Sequence, residues 1–110
     1  MPTPDDFFAL DLRIGTVLSA EAFPEARKPS IKLVIDFGEE MGVRRSSAQL
    51  TVHYAPASLV GRQVVAVTNI GTRRIAGFTS EVLVLGAMPD VTEVVLLRPD
   101  RLVPDGTRIG

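Results

Sequence analysis

The feature that most constrains this chain is a period of two that begins at Asp11. Leu12, Ile14, Thr16, Leu18 and Ala20 fall on one face, and Arg13, Gly15, Val17, Ser19 and Glu21 on the other. Successive side chains leave opposite sides of a pleated strand, so this run predicts one long strand, with Gly15 as the place where it can bend. The same period returns in Ile31-Lys32-Leu33-Val34-Ile35-Asp36-Phe37, where the odd positions are apolar. Between the two runs, Pro24 and Pro29 interrupt regular structure and predict a surface loop over Phe23 to Ser30.

The remaining segments are short and β-rich. Gly38 to Gly42 predicts a turn into a third strand, Val43 to Val52, and Pro56 to Val60 a single helical turn closed by Gly61. Gln63 to Thr68 is nearly continuously apolar, which predicts a buried strand. Asn69 to Phe78, with its two glycines, reads as a loop. Ser80 to Leu85 and Glu93 to Leu97 read as further strands, and Thr107 to Ile109 as a short terminal one. Ahead of the first strand, Thr3 is a candidate cap for a helix of one or two turns with Pro4 in its first position.

No repeat, linker or low-complexity segment divides the chain, so residues 1–110 are read as one all-β domain. At 110 residues with 45% apolar content, a single core is sufficient. A long curved first strand, at least four more, and a short helix between the third and fourth fit an OB-fold β-barrel, the five-stranded Greek-key barrel. An SH3-like barrel or a small sandwich satisfies the same alternation.

Composition narrows the chemistry by exclusion. There is no cysteine, hence no disulfide, thiolate metal site or cysteine nucleophile. His53 is the only histidine, without a second ligand or base at a recognisable spacing. Asp36, Glu39 and Glu40 lack the ligand ladder of a calcium loop and read as a solvated turn. No phosphate-binding lysine loop or dinucleotide glycine fingerprint is present. A non-catalytic chain is expected, with no cofactor and no metal. The acidic, proline-containing N-terminus is unlike a signal peptide, and no apolar run approaches the ~18 residues of a membrane span, so a cytoplasmic chain without membrane insertion is expected.

Twelve basic and thirteen acidic residues give a net charge of −1, which excludes binding of nucleic acid by bulk charge. Clustering is a different matter. Arg27, Lys28 and Lys32 gather around the first loop, Arg44 and Arg45 enter the third strand, and Arg73 and Arg74 follow the fourth. In an OB barrel the first and last of these loops flank the nucleic-acid face, and strands two and three form its floor. The clusters are therefore candidate phosphate contacts, with ordinary solvated arginines at loop tips as the competing reading. Phe7, Phe8 and Phe37 are assigned to the core. Phe23, Tyr54 and Phe78 remain as stacking platforms or as the lining of an apolar peptide groove.

Longer collinear segments carry a resemblance. They are Asp11-Leu12-Arg13-Ile14-Gly15-Thr16, Phe23-Pro24-Glu25-Ala26-Arg27, Ile31 to Gly38, Ser46-Ser47-Ala48-Gln49, Arg73 to Phe78, Ser80 to Gly86, and Val103 to Gly110. In these the chain resembles the CsaA family, related to the tRNA-binding domains appended to aminoacyl-tRNA synthetases. The resemblance implies an OB fold, a homodimer, binding of tRNA or tRNA-like structured RNA, and chaperone-like binding of unfolded or export-bound polypeptides. It also marks Ser46, Ser47, Asn69 and Ser80 as candidate RNA contacts, against a structural role at the barrel rim. At Glu81-Val82-Leu83 the sequence departs from the synthetase-linked relatives, which commonly carry a glycine and a methionine there; an acid at this place weakens a simple phosphate-groove account. The first helix and the C-terminal segment are the expected dimer elements, since neither has an obvious role within a minimal barrel.

Overall fold

The computed structural model describes residues 1–110. Three helices of one turn or little more, α1 (Pro4–Phe8), α2 (Gly38–Met41) and α3 (Pro56–Leu59), accompany the strands. The strands are β1 (Leu12–Ala22), β2 (Ile31–Asp36), β3 (Val43–Ala48), β4 (Gln63–Val67), β5 (Arg73–Ile75), β6 (Phe78–Ser80), β7 (Leu83–Val84), β8 (Gly86–Asp90) and β9 (Glu93–Leu96). Five of them form an antiparallel sheet in the order β3-β2-β1-β4-β7. The sheet curls until its edges meet. Glu81 N donates to Arg45 O at 2.8 Å, Ser47 N to Ser80 Oγ at 3.0 Å, and Ser46 Oγ to Val82 O at 2.9 Å. The result is a nearly closed, OB-like barrel, as the alternation and the resemblance led one to expect.

The first strand departs from simple alternation, and the departure organises the core. Val17 pairs with Ile35 and Ser19 with Val34, so Leu18 is an extra residue in a bulge. Leu18 is 48% exposed whereas Val17, assigned to the opposite face, is 1% exposed in the barrel interior. That interior also holds Ile31, Leu33, Ile35, Phe37, Leu50, Leu59, Val64, Ala66 and Val82. Gly15 faces inward too: a Cβ there would lie 2.6 Å from Ile35 Cγ2 and 2.8 Å from the Phe37 ring. Phe37 crosses the barrel in the space that a side chain at 15 would need.

The other face of β1 is buried outside the barrel. Leu12 and Ile14 pack with Val65 and Val67 of β4 under Leu85, Val103 and Ile109. The C-terminal segment is held along β1 by Gly106 N to Ile14 O (2.7 Å), Ile14 N to Thr107 O (2.9 Å) and Ile109 N to Leu12 O (2.9 Å). Thr16 Oγ1 donates to Asp105 Oδ1 at 2.6 Å, and the Gln63 amide both donates to Val103 O and accepts from Val103 N. Apolar layers on both sides explain why β4 reads as a continuous apolar run. They also correct one premise: the C-terminal segment does have a role within the single chain. The expected terminal strand is a single bridge, Arg13 with Arg108.

Other boundaries shift for local reasons. The third strand stops at Ala48 rather than Val52, because Leu50 turns down into the core. The strand expected over Ser80 to Leu85 is broken at Glu81-Val82 into β6 and β7. Arg73 to Phe78, expected as loop, joins Ser80 in a hairpin in which Ile75 pairs with Phe78. Its two-residue turn, Ala76-Gly77, has φ of 45° and 83°, the double positive φ of a type I′ turn. Strand β8, paired with β9, was not foreseen, and α2 replaces a plain turn. Phe37 is in the core, but Phe7 and Phe8 are not: α1 has no buried residue, and the two rings are 41% and 50% exposed.

Candidate nucleic-acid interface

Two connections at one side of the barrel bring separate basic clusters together. The β1–β2 loop is compact, with Phe23 N donating to Ser30 O and Ser30 Oγ to Lys28 O. Phe23 anchors it at 2% exposure, leaving Arg27 and Lys28 on the outside. The β5–β6 hairpin carries Arg73 and Arg74, also exposed. With Ser47 and Gln49 at the end of β3, these four cations line one open cleft of about 720 Å³, where Glu25 is the only acid. None of the four is in an ion pair; Arg74 Nη1 donates only to Thr79 Oγ1, at 3.1 Å.

The third basic cluster divides, as strand geometry requires. Arg45 opposes Val34 and Arg44 opposes Ile35, so the adjacent arginines leave β3 on opposite faces. Arg44 donates to Met41 O at 3.2 Å, away from the cleft. Arg45 and Lys32 lie on the outer face and border a second, smaller hollow of about 400 Å³. Both have carboxylate partners: Lys32 Nζ is 3.8 Å from Glu21, and Arg45 Nε is 3.5 Å from Glu81. Lys32 Nζ also sits 4.6 Å from the Phe23 ring centroid and 5.4 Å from that of Phe78, and Arg45 lies 5.4 Å from Phe78. The two rings meet edge to face at 5.6 Å.

The remaining candidates hold structure together. Ser46 and Ser80 are buried at the barrel seam, and Ser47 joins the seam through its backbone while its residue borders the cleft. Asn69 clamps the N-terminal segment, accepting from Asp11 N at 2.8 Å and donating to Ala9 O at 2.9 Å. Tyr54 is remote from the cleft; its hydroxyl accepts from Leu96 N at 3.0 Å. His53 Nε2 lies 2.7 Å from Glu93 Oε1, bridging the turn after β3 to β9.

Beside Asn69, Asp11 gathers the Thr68 hydroxyl, Arg13 and Arg108. Burial alone raises this carboxyl, but those hydrogen bonds and charges outweigh it and hold Asp11 below the usual carboxylate range. No group of three or more His, Asp or Glu side chains is placed to hold a metal ion. Sequence reasoning overlooked Gln49 and the hairpin itself. The one local signal was Ala-Gly between the β-forming residues Ile75 and Phe78, a weaker turn cue than Asn-Gly.

A small barrel with four uncompensated cations converging on one side defines the class: an OB-type module with a basic cleft. Residues 12–108 match the family described as "Putative tRNA binding domain", and the chain belongs to that family. Among solved structures it is similar to the chaperone CsaA of Bacillus anthracis, with 55% identity, a TM-score of 0.95 and coverage of 100% of this chain and 99% of that one. It is similar as well to the CsaA chaperone protein of Picrophilus torridus, at 42% identity, TM-score 0.91 and full coverage of both chains. Methionine–tRNA ligase of Methanococcoides burtonii is 38% identical over 107 residues, covering 97% of this chain and 15% of the ligase. The chain thus spans about 15% of the length of the curated relatives it matches. No helix is long and apolar enough to cross a membrane.

Proposed function

We propose that this chain is a non-catalytic binding protein for tRNA or similarly structured RNA, acting as a homodimer in which Arg27, Lys28, Arg73 and Arg74 contact phosphates. The observation that carries the reading is the convergence of these four unpaired cations, distant in sequence, on one cleft of a chain whose net charge is only −1. Membership of the tRNA-binding family supports the choice of ligand. Guanidinium forks suit phosphate oxygens, and the Ser47 and Gln49 side chains offer neutral hydrogen bonds between them. Apolar side chains exposed on α1 (Phe7, Phe8) and on the β8–β9 hairpin (Met88, Val91, Val95) support a second copy as their cover. A dimer places two such clefts on one RNA, and linked sites raise apparent affinity without new contacts. Filter binding of tRNA at low salt tests the reading. Arg73→Glu with Arg74→Glu should abolish binding, and an unchanged affinity would refute it.

A second reading, a chaperone that binds unfolded or export-bound polypeptides, is favoured by the similarity to chaperones named CsaA and by the same exposed apolar groups. Phe78, part-exposed above the buried Phe23, is its candidate contact near the cleft, and Tyr54 lies on another part of the surface. It predicts suppression of client aggregation that survives both high salt and the arginine reversals.

A further inference from the structure

The two hollows differ in a way that assigns them different parts of a ligand. In the larger cleft the cations are free. On the sheet floor beside it each cation is matched by one carboxylate, Lys32 by Glu21 and Arg45 by Glu81. A phosphate approaching this floor meets two acids, and Lys32 already faces the Phe23 and Phe78 rings. What the floor offers is a flat layer of aromatic ring, guanidinium and aliphatic side chain, bordered by carboxylate acceptors. That chemistry receives a neutral, planar ligand carrying donor groups.

We infer that the hollow bordered by Glu21, Lys32, Val34, Arg45 and Phe78 is a nucleobase subsite, which takes an unpaired base of the RNA whose phosphates lie in the adjoining cleft. The inference rests on the RNA-binding reading above. Adjacency supports it: Lys32 of the hollow and Ser47 of the cleft are register partners on β2 and β3, with side chains on the same face about 5 Å apart. One nucleotide therefore spans both. The base stacks over Arg45 and Phe78. Glu21, whose side chain is 74% exposed, accepts from an exocyclic amino group. Adenine, cytosine and guanine carry such a group and uracil does not, so the subsite discriminates against uridine.

The test uses the full chain with three eight-nucleotide probes, oligoadenylate, oligouridylate and a fully abasic strand, followed by fluorescence anisotropy over a range of salt. Oligoadenylate should bind about tenfold more tightly than the abasic strand, the range expected of one stacked base, with oligouridylate between them. Phe78→Leu and, separately, Arg45→Gln, which removes a guanidinium already paired with Glu81, should bring oligoadenylate down to the abasic level with the wild-type salt slope. Arg73→Gln with Arg74→Gln should weaken all three probes and flatten that slope. Equal binding of oligoadenylate and the abasic strand by the wild-type chain overturns the subsite, as does a preference that survives both floor variants. If tRNA binds through the arginines and no base preference exists, the subsite alone falls. If neither tRNA nor any probe binds, the RNA-binding reading falls and takes the subsite with it.

Discussion

Asp11 shows how one side chain secures a terminus. Its depressed pKa means that the folded state favours the charged carboxylate, so the stabilisation is complete above the ordinary carboxylate range and is lost as pH falls through the lowered folded value. Asp11→Asn should lower the urea midpoint at neutral pH, with the gap to wild type closing in acid; a gap that stays constant with pH would contradict this. Ala76 is a second informative residue, since its φ of 45° is left-handed backbone that disfavours a Cβ. Ala76→Asn creates the preferred Asn-Gly turn and should stabilise the chain by about 1 kcal/mol in chemical denaturation. At Gly15 the opposite holds. A methyl group meets Ile35 and Phe37 inside their contact distance, and Gly15→Ala should cost about 1–3 kcal/mol.

Among the elements, the C-terminal segment has the largest unexpected role. It completes the small core of Leu12, Ile14, Val65 and Val67, so Ile14→Ala should destabilise by about 2–5 kcal/mol although Ile14 lies outside the barrel proper. A loss under 1 kcal/mol, measured by thermal or urea unfolding, would mean that the segment is a loose cover. The strands themselves were legible where a period of two persists, as in β2, and where apolar residues run together, as in β4. They were not legible at the β1 bulge: the inserted Leu18 falls in step with the apolar positions Leu12 and Ile14, and only pairing with β2 reveals that it is extra. Nor was the β5–β6 hairpin, whose three-residue strands are too short to show periodicity.

For the whole molecule, the arrangement of charge matters more than its sum. The four cleft cations were legible as local clusters, and their convergence follows from the barrel. Their difference from Lys32 and Arg45 was not legible. Glu81 is far from Arg45 in sequence and reaches it only where the barrel closes, and Glu21 meets Lys32 only through the β1–β2 register. Arg44 and Arg45 read as one cluster until strand parity sends them apart. The central claim is that free cations in one cleft receive RNA phosphates. A salt titration of tRNA binding, comparing the wild-type chain with Arg27→Gln, Lys28→Gln, Arg73→Gln and Arg74→Gln combined, tests it most directly. Each phosphate contact contributes about 0.9 to the slope of log affinity against log salt on a duplex. The wild-type chain should give a steep negative slope that the combined variant flattens by about 3 or more; equal slopes in the two proteins would contradict the account.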